Sequence, residues 1–503
     1  MAAERSERDG QSERAERSER AERREGSEPP ETSERRWTPI LGAPGSAGGG
    51  AGDVGGAGGA GNIGAGAAAG LGGAPGLAAL VGEALDEIAA ALEHAAEAEP
   101  AAASEENQQP RSTSLADGPA GEALFFHYLD QARPGQGHDD RAVAKLESAI
   151  AATAEAVGGP GLYSGFSGVA WALEHLTGRL LETPAGGEDD PGLDVAKVLE
   201  EYLRQTPWLD EYDLISGLAG YAVWAVERSP RSGGPAAVEN VVRRLGELAE
   251  RRDDGITWHT APERMLPSDA EKYPKGYYNV GVAHGVPGVI GALGEIRGAG
   301  LDDAESRELL AGAVEWLLRQ GLPPGAASHF SYTVAPEGEP TPTPARLAWC
   351  YGDLGAAATL LLAARAAGEA GWERQALDIA RAAARRPPED SGVVDGGLCH
   401  GAAGLAHLFN RLYQATREPL FREAALAWIE RLMAQRKPGQ GTAGWLFWRP
   451  TGPFDPDKGP QLAWSPDSGF LTGAAGVGLT LLGAVSAVEP AWDRLLLASV
   501  PPR

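Results

Sequence analysis

Two cysteines and a histidine form the most reactive pattern in this 503-residue chain. Cys399 and His400 are adjacent and stand directly before Gly401, and Cys350 stands two residues before Gly352. No other cysteine exists in the chain, so a disulfide framework is excluded. Two thiolates and an imidazole suit Zn²⁺, and three protein ligands leave a fourth position for water or substrate. The alternative is that each cysteine is simply a small buried apolar residue.

A short Gly-x-x-Gly pattern occurs six times, each time followed by an apolar, alanine-rich segment. The pairs are Gly165/Gly168, Gly217/Gly220, Gly285/Gly288, Gly352/Gly355, Gly401/Gly404 and Gly473/Gly476. Successive pairs lie 52, 68, 67, 49 and 72 residues apart, which leaves room for two helices and their loops. The segments after the glycines are apolar on nearly all sides, whereas residues 311–320 and 376–386 are amphipathic. This pattern predicts an all-α fold of six helical hairpins with an inner and an outer layer.

The residues just before each first glycine place the reactive side chains in register. Cys350 and Cys399 share one offset, and His284 and His400 share the next. If the hairpins form a ring, these side chains converge on one rim. Helices that start there also direct unpaired N–H groups and the positive ends of their dipoles toward the rim. Glycine at such starts allows φ > 0 and a close approach of neighbouring backbones.

Three motifs, in this order, resemble the signature of the lanthionine synthetase C-like (LanC-like) cyclases. They are Asn279-Val-Gly-Val-Ala-His284-Gly285, Trp349-Cys350-Tyr351-Gly352 and Cys399-His400-Gly401. The resemblance extends over about residues 121–490 and includes the closing segment 468–476. It implies an α/α toroid, a double ring of helices. For the bacterial enzymes of the family, it implies addition of peptide cysteine thiols to dehydroalanine or dehydrobutyrine, which forms thioether rings.

The resemblance also implies roles for the residues that match the motifs. Zinc held by Cys350, Cys399 and His400 would bind the substrate thiol and lower its pKa. His284 would then be the acid that protonates the enolate formed by thiolate attack, and a candidate base for the thiol proton.

Three further residues are candidate catalytic groups. Asp213 matches an acidic position of the family and would orient His284 or an arginine. Arg346 would steady the enolate oxygen, and Tyr351 would donate a hydrogen bond. Each also has a structural alternative: a helix cap for Asp213, an ion pair for Arg346, and packing for Tyr351.

The first 120 residues differ in composition from the rest. Residues 1–36 repeat Ser-Glu-Arg and Ala-Glu-Arg units that cannot bury enough apolar surface to offset their ordering entropy. Residues 42–76 read as a glycine- and alanine-rich linker, and residues 77–98 as a loosely attached amphipathic helix. We therefore expect a mostly disordered extension over 1–120, dispensable for chemistry, and a toroid domain over 121–503.

The charge and the hydropathy of the chain limit the classes of partner and the compartment that we expect. The net charge of −26 and the isoelectric point near 4.8 disfavour nucleic-acid binding. The sequence contains no run of 18 apolar residues, so it predicts no membrane span. It also shows no apolar signal segment at the N-terminus. The cytoplasm is the expected compartment.

The expected function is that of a zinc-dependent lanthipeptide cyclase acting on a dehydrated precursor peptide. The chain is too short to hold a toroid and a dehydratase, so a separate dehydratase is the expected partner, and the toroid is expected to be monomeric. Two alternatives remain open. The protein would add glutathione or another small thiol to dehydrated residues, or serve as a non-catalytic zinc-binding docking scaffold.

Overall fold

Helices form most of the regular structure of this protein. A computed structural model describes residues 36–42, 76–94, 111–156, 158–184, 190–336, 338, 340–451, 459 and 461–502. The helices in these ranges are α1 (Leu77–His94), α2 (Pro119–Ala132), α3 (His138–Glu155), α4 (Phe166–Leu176), α5 (Gly192–Leu203), α6 (Leu218–Arg228), α7 (Gly234–Leu248), α8 (Pro267–Lys272), α9 (Val286–Gly298), α10 (Ala304–Arg319), α11 (Asp353–Ala367), α12 (Ala370–Arg385), α13 (Ala402–Thr416), α14 (Pro419–Gln435) and α15 (Ala474–Val485).

An inner ring consists of the helices that begin at a glycine pair, which are α2, α4, α6, α9, α11, α13 and α15. Each packs against the next along the chain, and α15 packs against α2, so the ring is closed. Six of these helices follow the predicted glycine pairs. The seventh, α2, follows Gly118 and Gly121, a pair that the sequence comparison missed.

An outer layer covers this ring. Helices α3, α5, α7, α10, α12 and α14 each pack on the inner helix that precedes them, and α1 packs on α15. The amphipathic segments predicted at 311–320 and 376–386 lie in α10 and α12, whose apolar faces are buried. A closed inner ring inside an outer ring is an α/α toroid, so the predicted fold class is confirmed. No described helix has the length and hydropathy needed to cross a membrane.

Helix α1 corrects the prediction of a loosely attached element outside a domain that starts at residue 121. Val81, Leu85, Ile88 and Leu92 on its apolar stripe are all 0% exposed, and they face α15 and α14. After α15 the chain enters a 3₁₀ segment rather than an outer helix, so the outer face of α15 is covered by α1. Packing of this stripe, rather than helix propensity alone, holds α1 in place.

The other expectations for the N-terminal region lie mostly outside the described residues, which begin at Arg36 and omit 43–75 and 95–110. Trp37 is buried (2% exposed), and its indole N–H donates to the Gly483 carbonyl at 2.8 Å. The guanidinium of Arg411 lies 4.7 Å from the centre of the Trp37 ring. Residues 37–41 therefore pack on the C-terminal end of α15.

A short segment after α15 packs inside the ring. The 3₁₀ segment Ala491–Leu496 is buried at Trp492, Leu495 and Leu496. The Tyr163 hydroxyl donates to the Leu495 carbonyl at 2.7 Å, and the Trp349 indole donates to the Leu496 carbonyl at 2.8 Å. Tyr163 and Trp349 belong to the loops that carry the glycine pairs, so the segment supports that rim from inside.

Short antiparallel strands occur only in the loops between hairpins, within the part of the chain that the structure describes. They are β1 (Glu250–Arg252), β2 (Gly255–Thr257), β3 (His259–Thr260), β4 (Tyr277–Asn279), β5 (Thr333–Val334), β6 (Phe447–Pro450) and β7 (Leu462–Ser465). They pair as β1–β2, β3–β4–β5 and β6–β7.

Close backbone approach, more than unusual dihedral angles, explains the glycine pairs. A Cβ on the second glycine would collide with the carbonyl oxygen of the residue six positions earlier, for example Gly404 with Leu398 and Gly355 with Trp349. Among the first glycines of the pairs, only Gly352 has a positive φ, 108°. The others, such as Gly401 at −106°, have extended backbones. The expectation that φ > 0 requires glycine therefore holds at Gly352 alone.

Backbone hydrogen bonds connect neighbouring repeats around the whole glycine rim. Each N–H donates to a carbonyl of the next repeat, and the last repeat donates to the first. The bonds are Ala116 to Tyr163 (3.0 Å), Tyr163 to Ile215 (3.1 Å), Leu214 to Ala283 (3.1 Å), Ala283 to Cys350 (3.3 Å), Cys350 to Cys399 (3.2 Å), Cys399 to Leu471 (2.8 Å) and Leu471 to Ala116 (3.0 Å). We call this closed set of bonds the rim circuit. It places the residue two positions before each first glycine at the same height on the rim.

Substituting Leu85 with Ala should lower the free energy of unfolding by about 2–5 kcal/mol, because it opens a cavity between α1 and α15. Urea denaturation of the full chain measures this change. The control is Glu83→Ala on the exposed face of α1, which should change stability by less than about 0.5 kcal/mol. Equal stability of the two variants would show that α1 does not fold with the ring.

Candidate active site

Cys350, Cys399 and His400 meet on the glycine rim as the sequence predicts. Their Sγ and imidazole nitrogen atoms all lie within 4.8 Å of one another. The rim circuit causes this, because the Cys350 N–H donates directly to the Cys399 carbonyl at 3.2 Å. Cys350 is buried, while Cys399 and His400 are partly exposed, so a ligand can reach the cluster.

The electrostatics of the two cysteines favour one thiolate. A hydrogen bond from the Cys399 thiol, together with nearby His400 and Arg346, holds the pKa of Cys350 well below its usual value, against the effect of burial. The same shared proton raises the pKa of Cys399. Thiolates are the form that binds metals. Two sulfurs, one already inclined to ionise, and an imidazole form a donor set that fits a divalent ion such as zinc.

Asp395 holds the loop that carries Cys399 and His400. Its Oδ1 accepts the Gly397 N–H at 3.0 Å, and its backbone carbonyl accepts the Ala402 N–H at 2.9 Å. Its Oδ2 accepts the Trp448 N–H of β6 at 2.9 Å. The turn before α13 is thus fixed on both sides of Cys399 and His400.

His284 and Asp213 form a pair on the same rim. Asp213 is buried, and its Oδ2 lies 2.5 Å from His284 Nδ1, while its Oδ1 accepts the Ser216 N–H at 2.8 Å. Asp213 therefore caps the turn before α6 and also fixes the His284 ring. Nδ1 is engaged and nearly half of the side chain (46%) is exposed, so Nε2 is the nitrogen available to a substrate.

The charge of Asp213 changes the acidity of His284. Partial desolvation by the surrounding protein would by itself lower the pKa of His284, but the hydrogen bond and the negative charge of Asp213 outweigh it. The charge of a Cys350 thiolate acts in the same direction. The pKa of His284 is therefore raised, and the site holds an imidazole that gains a proton readily.

Arg346 lies beside the cysteines without a carboxylate partner. Its positive charge contributes to the low pKa of Cys350, so the guanidinium lies near that thiol. Among the described residues no ion pair involves Arg346, and its backbone N–H donates to the Tyr332 hydroxyl at 3.0 Å. The ion-pair alternative for Arg346 therefore has no support among the described residues. Its side chain has a hydrogen bond with Tyr332 but no carboxylate partner, so its positive charge is available to a developing negative charge.

Tyr351 directly follows Cys350 in the chain, and its ring lies near that of His284. Its ring centre is 6.4 Å from that of His284 and 5.5 Å from that of Tyr332. Asn279 donates through Nδ2 to the Tyr351 hydroxyl at 2.9 Å. The sequence reasoning assigned no role to Asn279 or Tyr332. Asn279 stands six residues before a first glycine, as Asp395 does, and comparison at that offset would have drawn attention to it.

An apolar groove lies elsewhere on the described part of the chain. A cavity of about 410 Å³ lies between α3, α4 and α5, and Ile150, Phe166 and Val198 contribute to its lining. None of the predicted site residues borders it. Its lining is apolar except for Asp194 and two threonines, and it holds no cluster of titratable groups comparable with that on the rim. The candidate site is therefore the rim and not this groove.

Replacing Asp213 with Asn should lower the pKa of His284, because the variant loses the negative charge that stabilises the imidazolium. NMR titration of histidine side-chain signals, assigned with His284→Ala, measures this pKa. Since the folded-state pKa is raised, the pair stabilises the fold below the ordinary histidine pKa, and this contribution is lost as pH rises through the folded value. The control Asp194→Asn, at an exposed position of α5, should leave the titration unchanged. An unshifted His284 in Asp213→Asn would contradict the pairing.

Solved structures are similar to this chain to different degrees. The one titled nisin cyclase matches with a TM-score of 0.62 and 18% sequence identity, over 83% of this chain and 97% of that chain. At this identity the match shows a common fold. A sugar epimerase from a ruminal bacterium matches with a TM-score of 0.41, 12% identity, and coverage of 73% of this chain and 87% of that chain. A cellobiose 2-epimerase from Bacillus thermoamylovorans matches with 0.43, 11%, and coverage of 79% and 98%.

A family model described as lanthionine synthetase C-like protein matches residues 109–497. The matched range contains every predicted site residue and all inner helices, and it begins before the predicted domain start at residue 121. With the closed double ring and the cysteine–histidine cluster in place, the chain belongs to the lanthionine synthetase C-like protein family.

Proposed function

We propose that this protein is a zinc-dependent cyclase that adds cysteine thiols of a dehydrated precursor peptide to dehydroalanine or dehydrobutyrine. The observation that carries the proposal is the meeting, on one rim, of a Cys350–Cys399–His400 cluster and a His284–Asp213 pair. The first suits activation of a thiol and the second suits proton transfer. The solved nisin cyclase, which shares the fold, supports a peptide as the substrate class.

Cys350, Cys399 and His400 would hold the zinc ion. When bound there, zinc supplies Lewis-acid chemistry that lowers the pKa of a substrate thiol occupying the fourth position. The free state of both cysteines agrees with a reducing compartment, for which we propose the cytoplasm.

His284 would move the protons. Its Nε2 takes the proton from the substrate thiol, while Asp213 keeps Nδ1 engaged and stabilises the charged ring. The sulfur electron pair then forms the C–S bond at the β-carbon, and the C=C pair moves toward the carbonyl and gives an enolate. His284 returns the proton to the α-carbon, so the addition is an isomerisation without loss of atoms.

Arg346 and Tyr351 would stabilise the enolate oxygen. The guanidinium has no carboxylate partner among the described residues, and the Tyr351 ring centre lies 6.4 Å from that of His284. Donors placed where charge develops favour the transition state over the ground state. The reaction starts from residues that are already dehydrated, so we also propose a separate dehydratase as partner. The closed ring fits a monomer as the working unit.

Purified protein should contain about one zinc ion per chain, bound by the three predicted ligands. Cys350→Ala and Cys399→Ala should each lose it, because two protein ligands bind zinc far more weakly than three. Elemental analysis with circular dichroism separates metal loss from unfolding. His259→Ala, which removes a histidine outside the cluster, should keep the metal. Zinc that persists in folded cysteine variants would refute the site.

Zinc-loaded protein should consume the thiol of a peptide that carries one cysteine and one dehydroalanine, without a change in peptide mass. His284→Ala should slow this reaction by about 100-fold or more, the usual contribution of an acid–base group. Thiol titration and mass spectrometry follow the reaction, and the remote Asp194→Asn serves as control.

Two results would redirect the proposal. Adduct formation between glutathione and a dehydrated peptide that lacks cysteine, with no ring closure, would identify a small thiol as the substrate. An unchanged thiol titre with zinc-loaded wild-type protein would contradict catalysis and favour the alternative of a non-catalytic docking scaffold.

A further inference from the structure

Asn279 occupies a position at which two other repeats carry a carboxylate. Asn279, Asp395 and Asp467 each stand six residues before a first glycine. In all three the side-chain Oδ1 accepts the N–H two residues later, with distances of 2.8, 3.0 and 2.9 Å respectively. The local turn is thus the same, and either an amide or a carboxylate can form it.

The second polar atom distinguishes the three residues. Asp395 Oδ2 accepts the Trp448 N–H at 2.9 Å, and Asp467 Oδ2 accepts the Thr472 hydroxyl at 2.6 Å. Asn279 instead donates through Nδ2 to the Tyr351 hydroxyl at 2.9 Å. Gly281 N–H holds the amide oxygen, so a flipped amide would place N–H against N–H. The amide orientation is therefore determined by its surroundings.

This orientation controls the Tyr351 hydroxyl. The oxygen of Tyr351 accepts from Asn279, so the hydroxyl hydrogen points away from Asn279. The Tyr351 ring packs on the backbone of Gly281, where an added Cβ would collide with ring atoms Cδ1 and Cε1. The turn made by Asn279 thus supports the ring as well as its hydroxyl, and the side chain remains partly exposed on the rim.

The same amide also borders Tyr277, on the same face of β4. Burial raises the pKa of Tyr277 to about 12, and a hydrogen bond from Asn279 opposes that rise. Asn279 itself is buried, with 2% exposure. A carboxylate at this position would leave both tyrosine hydroxyls facing an acceptor, and each would turn its hydrogen inward.

We propose that Asn279 is a positioning residue that directs the Tyr351 O–H toward the carbonyl oxygen of the dehydroamino acid. The inference rests on the proposed thiol addition. It states which residue orients Tyr351, one of the two proposed hydrogen-bond donors to the enolate oxygen. No proton is transferred by Tyr351, which donates a hydrogen bond that strengthens as the oxygen gains charge. An amide is required because it can accept from the Gly281 N–H and donate to the Tyr351 hydroxyl at the same time, whereas a carboxylate can only accept.

Asn279→Asp tests this with almost no change in shape, because aspartate forms the same turn at positions 395 and 467. Its carboxylate should accept the Tyr351 hydroxyl and turn the hydrogen away from the substrate. We expect kcat to fall about 100-fold, as for loss of one oxyanion donor, with little change in KM or zinc content. Tyr351→Phe should lose as much, and the double variant no more.

Asn240→Asp, which adds the same charge in α7, is the matched control and should keep full activity. Asn279→Asp with wild-type kcat would overturn the inference. So would a further loss when Asn279→Asp is added to Tyr351→Phe, since Asn279 would then act through another group.

A second measurement needs no substrate. The ¹³Cζ chemical shift of Tyr351, assigned with Tyr351→Phe, reports whether the hydroxyl donates or accepts, and it should differ between wild type and Asn279→Asp. An unchanged shift would overturn the inference even if the enzyme is active. Absence of thiol addition in wild type, with the shift changed as expected, would refute the proposed function and leave the hydrogen-bond assignment intact.

Discussion

The rim circuit is the constraint on which the site depends. Seven backbone hydrogen bonds of 2.8–3.3 Å join one repeat to the next and close on themselves. Cys350 and Cys399 are adjacent members of this circuit, although 49 residues separate them in the chain. The approach of their thiols therefore follows from main-chain geometry. A ligand set placed by backbone bonds loses little further entropy when an ion binds.

The circuit is supported by contacts on both sides. The second glycine of each pair has no Cβ, so the first turn of each inner helix can contact a carbonyl oxygen of the preceding turn. From inside the ring, the C-terminal segment accepts hydrogen bonds from Tyr163 and Trp349, which flank the circuit. A buried indole or hydroxyl without a partner would cost about 1–3 kcal/mol, so these bonds specify where the segment lies. The glycine rim and the C-terminal segment Ala491–Leu496 are thereby parts of one packed unit.

Polar side chains then adapt a repeated scaffold to different tasks. The same turn six residues before a glycine uses a carboxylate at Asp395 to hold the loop of Cys399 and His400, and an amide at Asn279 that donates to the Tyr351 hydroxyl. Asp213 caps a helix start and pairs with His284 through its two oxygens. In each case the structural role and the proposed chemical role belong to the same residue, since its two polar atoms serve different partners.

The amino-acid sequence by itself determined the helical class, the glycine-led inner helices, and the grouping of Cys350, Cys399, His400 and His284, because these follow from local periodicity and a shared offset. Only the tertiary structure decided the rest. Helix α1 closes the outer layer through contacts with α15, nearly 400 residues away, and no local pattern encodes such a partner. The seventh inner helix, the pairing of Asp213 with His284 and the hydrogen bond from Asn279 to Tyr351 likewise depend on ring closure, which brings distant side chains within hydrogen-bond reach.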